Sequence, residues 1–109
     1  MVKVIQNETD LGKALCEPAT AIYFNSQACD VCHVMLPQLE QIVGSEFPKV
    51  NIYVVNANDS PEICGKFSVF TFPTVLIFFK GKESLRMARN INLATFRQAV
   101  ARPYSIQFD

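Results

Sequence analysis

Ala21-Ile22-Tyr23-Phe24-Asn25-Ser26-Gln27-Ala28-Cys29-Asp30-Val31-Cys32-His33 runs from an apolar, aromatic segment through a polar turn to two cysteines separated by two residues. Residues 21–24 read as a buried strand. Beyond the cysteines, Met35, Leu39, Ile42 and Val43 recur at helical spacing, with Gly44 as the expected stop. Val50-Asn51-Ile52-Tyr53-Val54-Val55 reads as a second buried strand, closed by the polar turn cluster 56–60. Strand, helix and strand in this order imply a parallel βαβ unit and therefore an α/β fold.

Upstream, Thr9 or Asp10 is the expected cap of a first helix carrying Leu11, Ala14 and Leu15, ended ahead of Pro18 because the residue before proline resists helical geometry. Downstream, Ser60 as cap and Pro61 at the first helical position open a short helix through Ile63 to about Phe67. Residues 74–79, Gly81 and residues 83–87 then read as strand, turn and strand. Asn92 caps a last helix with Leu93, Phe96 and Val100 on one face, expected to end before Pro103, and residues 104–109 carry no assignment. With no repeat or linker, the 109 residues suit one domain spanning 1–109.

Half of the residues are apolar and 18% are charged, a globular rather than disordered composition. Ten basic and ten acidic residues cancel, so no net field draws the chain to nucleic acid or an anionic membrane. The longest apolar runs, such as Val75 to Phe79, fall far short of the roughly 20 residues of a membrane helix. The amino terminus turns polar and acidic after a few residues, unlike a secretory signal, so the expected location is cytoplasmic. In that compartment structural disulfides are rare, and a close cysteine pair is catalytic or metal-binding.

Cys29 follows a strand and opens a helix. Unpaired N–H groups and the helix dipole favour a thiolate there, lowering its pKa from the free value of about 8.5. Cys32, one turn on, is near enough to attack a mixed disulfide at Cys29. Asp30 opposes the thiolate by its charge, whereas Arg89, if close, favours it.

The alternatives for the pair are weaker. A zinc site needs four ligands, and only Cys16, Cys64 and the single histidine, His33, remain to complete one. Cys16 and Cys64 read instead as small buried helix residues. Cys29 to His33 also satisfies the pattern for covalent haem attachment, but the flanking strands and the missing export signal oppose that reading. Phe78 and Phe79 point to opposite faces of a covered sheet and read as core.

Pro37 lies inside the helical pattern, where proline costs about 3 kcal/mol or more unless a kink is wanted. Phe72-Pro73-Thr74 stands at the entrance of an apolar strand, where a cis proline can turn the backbone toward the thiols. Together with Cys29-Asp30-Val31-Cys32 and Phe79-Lys80-Gly81, these elements resemble the thioredoxin family in order and spacing, over nearly the whole chain.

The resemblance implies a thioredoxin fold, a central mixed β-sheet flanked by helices on both faces. It implies disulfide exchange with Cys29 as attacking and Cys32 as resolving thiol, and Phe72 and Pro73, the latter in cis, as the substrate-binding element. No cofactor is implied. The partners would be disulfide-containing proteins or small thiols and an external reductase or dithiol donor, with the chain a monomer. The sequence departs from the family at several positions. Ala28 stands where tryptophan is usual, Asp30-Val31 replaces Gly-Pro, the buried acid falls at Tyr23, its companion lysine near Val54, and a docking glycine near Arg89. The expectation is a site that cycles with slower or narrower reactivity. The alternative is a binding or adaptor module that keeps the fold without general reductase activity.

Overall fold

The structure is a computed structural model describing residues 2–108, so Met1 and Asp109, the ends of the expected domain, lie outside the described residues. Its centre is the apolar run that follows Pro18. In Ala19–Asn25 every residue but the last is buried, as befits a strand covered on both faces. Numbered in chain order, the elements are β1 (Val2–Val4), α1 (Glu8–Leu15), β2 (Ala19–Asn25), α2 (Asp30–Glu46), β3 (Asn51–Asn56), α3 (Pro61–Lys66), β4 (Thr74–Phe79), β5 (Lys82–Ala88) and α4 (Leu93–Phe108).

The sheet order is β1-β3-β2-β4-β5. β1, β3 and β2 run parallel, while β4 and β5 are antiparallel to their neighbours. Alternation along β2 divides the core. Ala21 and Tyr23 face the helices α2 and α4, packing with Cys32, Leu39, Val43, Phe96 and Val100. Ile22 and Phe24 face α1 and α3, packing with Leu11, Ala14, Ile63 and Cys64. Phe78 joins the second group and Phe79 packs against the first, on opposite faces as alternation requires. The mixed sheet with helices on both faces is the architecture that the family resemblance implies.

Several boundaries differ from the sequence reading. The cap of α1 is Asn7, whose side chain accepts the Asp10 amide, not Thr9 or Asp10. Asp10 instead accepts the Gln6 amide at 3.0 Å and ties down the entry to the helix. Gly44 does not stop α2, which continues to Glu46 and ends two residues before Pro48. Ser60 precedes α3 without capping it by its side chain, which donates to the Gln6 carbonyl.

The helix α4 passes through Pro103 and takes in residues 104–108, left unassigned above. Aromatic packing accounts for this. The Tyr104 ring lies 5.2 Å from Phe47 and 4.8 Å from Phe108, and its hydroxyl accepts the Lys49 amide at 3.1 Å. The strand β1 was not anticipated, because three half-exposed or exposed residues carry no readable alternation; pairing with β3 makes it a strand. Cys16 is exposed at the end of α1, not buried as expected, whereas Cys64 is buried. Lys80 and Gly81, with φ 54° and 77°, form the two-residue turn between β4 and β5, and a Cβ on Gly81 would lie 3.1 Å from the Leu15 carbonyl oxygen.

Candidate active site at the carboxyl end of β2

The helix after β2 packs on one face of the sheet and the helix after β3 on the other, so a crevice opens at the carboxyl ends of these neighbouring strands. Cys29 stands there as the N-cap of α2, with extended backbone at φ −97° and ψ 100°. Its Sγ accepts the Cys32 amide at 3.2 Å. Cys29 and Cys32 are joined in a disulfide across a Cα–Cα distance of 5.3 Å. The two are unequally placed, because Cys29 is half-buried and Cys32 is 1% exposed. An attacking group from outside reaches Cys29 first.

Two antiparallel pairings bring the other expected residues to the same end of the sheet. Phe24 pairs with Thr74, so Phe72 and Pro73 precede β4 where Cys29 follows β2. The Phe72-Pro73 peptide bond is cis. Pro73 is buried and Phe72 half-buried, the latter packing against both halves of the core. Thr74 in turn pairs with Ala88, which sets Arg89 just beyond the same edge. The Arg89 amide donates to the Pro73 carbonyl at 2.7 Å.

A polar network, not anticipated from the sequence, fixes the loop that carries Cys29. The Asn25 amide donates to Asn56 at 2.8 Å, the Gln27 backbone N–H donates to the Asn58 side chain at 2.8 Å, and Ala57 N–H donates to the Asn25 carbonyl at 2.8 Å. Asn25, Gln27, Asn56 and Asn58 line a recess of about 290 Å³ with His33 and Asp59. The signal available in the sequence was the recurrence of asparagine after both strands. His33 is exposed, and among the described residues no three His, Cys, Asp or Glu side chains converge as a metal-binding group.

The thioredoxin family model matches residues 3–102. The chain belongs to the thioredoxin family. It is 42% identical over 85 residues to the thioredoxin-like protein YdfQ of Bacillus subtilis, covering 78% of this chain and 75% of that one. The thioredoxin of Chlamydia trachomatis is 31% identical over 83 residues, with 76% and 79% covered. Thioredoxin from Trypanosoma brucei brucei superposes with a TM-score of 0.84 over 96% of this chain and 92% of its own, at 24% identity, which shows the fold. A thioredoxin-family chain with a paired CxxC motif is a thiol–disulfide oxidoreductase, and the family acts on disulfide substrates. No helix among the described residues is long and apolar enough to cross a membrane.

Tyr23, the residue that the resemblance sets at the family's buried-acid position, pairs with Val54 on one side and Val75 on the other. Its hydroxyl donates to the Cys32 carbonyl at 2.7 Å. Burial pushes the Tyr23 phenol up to about 12. A group with that pKa stays protonated at neutral pH and serves as a donor that positions the first turn of α2, not as a base for the Cys32 thiol.

Tyr53 is also pushed up to about 12, by burial first and then by its hydrogen bond to the Glu17 carboxylate and that group's charge. Phenols held above their ordinary value of 10.0 favour the folded state fully below that pH, and this contribution is lost as pH rises toward 12. For Tyr23, 1% exposed, it amounts to about 3 kcal/mol. Phenolate absorbance should therefore show two of the three tyrosines titrating near 12 in the folded protein, with denaturant midpoints falling steeply across that window. Titration of Tyr23 and Tyr53 at the ordinary phenol value would contradict the burial that raises them.

Proposed function

We propose that Cys29 is the attacking and Cys32 the resolving thiol of disulfide exchange, and that Phe72 and Pro73 seat the substrate chain beside them. The Cys29 thiolate attacks one substrate sulfur, the substrate S–S bond breaks, and one substrate thiolate leaves. Cys32, once deprotonated, attacks Cys29 Sγ and releases the second. The substrate gains two electrons and, from solvent, two protons, and the protein is left with its Cys29–Cys32 disulfide. An external flavin-dependent reductase or dithiol donor restores the dithiol. The substrates are disulfide-bearing proteins or small thiols.

The observation carrying this reading is the asymmetry of the pair at the N-terminus of α2: an accessible Cys29 whose sulfur receives a backbone N–H, and a Cys32 enclosed behind it. The whole chain, 1–109, is read as one monomeric domain, supported by the participation of every element from β1 to α4 in a single sheet and its cover. A cytoplasmic location is supported by two cysteines left as free thiols, one of them exposed.

A second reading, a binding module without efficient turnover, is favoured by one observation, the phenol in place of a carboxylate behind Cys32. Alkylation rate against pH separates the two. One thiol reacting with a pKa well below the ordinary value of about 8.5 is expected, and Asp30→Asn should lower it further by removing a like charge. Two ordinary thiols, together with no reduction of insulin above the dithiothreitol background, would select the binding module.

A further inference from the structure

Arg89, the first residue after β5, has φ 66°. Left-handed backbone disfavours any residue with a Cβ and costs glycine nothing. The turn is fixed by the Arg89 amide on the Pro73 carbonyl, yet the side chain it carries is exposed and joins no ion pair among the described residues. The fold gains nothing there that glycine would not supply. A strained backbone position that presents a solvated, unpaired cation is a place to look for function.

The side chain lines an open cavity of about 300 Å³ with Val31 and Met35 of α2 and Asn90, Ile91 and Asn92 of the loop before α4. Val31 lies between the two cysteines and is 55% exposed, so the cavity adjoins the disulfide. Arg89 is the one charged group among the six lining residues, set against three apolar ones. Asp30, exposed and outside the lining, carries the opposite charge, so a carboxylate gains only on the Arg89 side.

We propose that this cavity is a specificity subsite for disulfide-bearing polypeptide segments with an acidic residue beside the half-cystine, the carboxylate pairing with Arg89 and neighbouring apolar atoms resting on Val31, Met35 and Ile91. The subsite rests on Cys29 as the attacking thiol for its role in the reaction.

Three peptide disulfides identical but for Glu, Gln or Lys next to one half-cystine test it. At low salt kcat/KM falls in the order Glu, Gln, Lys, with about five-fold between the extremes as for an exposed ion pair. The order collapses near 1 M salt, where the screening length is about 3 Å. Arg89→Lys keeps the order, and Arg89→Gly levels it while holding or raising Tm. Binding of the same peptides, with serine for cysteine, to the oxidised protein gives the charge order apart from any chemistry. A level series in the native protein, or an order that survives Arg89→Gly, overturns the subsite even where turnover is normal. A charge order in binding without turnover upholds the subsite and overturns the Cys29 chemistry instead.

Discussion

Replacing Cys29 by serine should remove disulfide reduction altogether, a fall of about 10³-fold or more, because among the described residues no other accessible thiol stands at the N-terminus of α2. Cys16 is exposed but sits at the far end of α1, beyond the reach of that helix terminus. The complementary variant, Cys32→Ser, should fail differently. Cys29 still attacks, but nothing releases the adduct, so the protein accumulates as a mixed disulfide with one substrate per chain, visible by mass spectrometry and cleared by dithiothreitol. The expectation of this asymmetry rests on the unequal burial of the two cysteines. Trapping in Cys29→Ser rather than in Cys32→Ser would exchange the two roles.

The second large effect lies behind the pair. Tyr23→Ala empties a wholly buried site between β2 and α2 and should cost about 3–5 kcal/mol. That is a large part of the roughly 5–15 kcal/mol that holds a domain folded. Tyr23→Phe keeps the ring and loses only the hydrogen bond to the Cys32 carbonyl, so about 1 kcal/mol is expected. Chemical denaturation of both variants measures the difference. Turnover of Tyr23→Phe at neutral pH should stay within about threefold of native, since a phenol of such high pKa exchanges no proton with the thiols there. A fall of tenfold or more with stability intact would make the hydroxyl a proton relay.

Turnover without a buried base then depends on solvent for the Cys32 proton. Cys32 is 1% exposed in the disulfide state, so its deprotonation, which has to precede attack on the mixed disulfide, should slow the release step. Slower cycling of this kind is what the replacement of an acid by Tyr23 suggests from the sequence. The phenol's part in holding the first turn of α2 required the structure, because it depends on an oxygen nine residues away.

The strand–turn–helix around Cys29, the second strand at residues 51–56, and the strand, turn and strand from Thr74 to Ala88 were legible because each rests on a local signal. These are a continuous apolar run where both faces are covered, a 3.6-residue periodicity, and turn residues with a defined φ. Phe72-Pro73 was likewise marked by its own proline.

What remained hidden was set by contacts distant in sequence. Asn7 outcompeted Thr9 and Asp10 as a cap because Asp10 is engaged with Gln6. Gly44 reads as a stop only in isolation, and the chain there stays helical up to the constraint of Pro48. Pro103 failed to end α4 because Phe47 and Lys49 hold Tyr104 and Phe108 from across the molecule. Asparagine pairing between two loops and the placement of Arg89 on the Pro73 carbonyl belong to the same class. The sequence by itself determined the α/β order of elements and the cysteine pair at a helix N-terminus, since backbone preference and periodicity act over a few residues. Only the tertiary structure decided where helices end, what stands behind Cys32 and what charge adjoins it, since those depend on which distant groups share one buried volume.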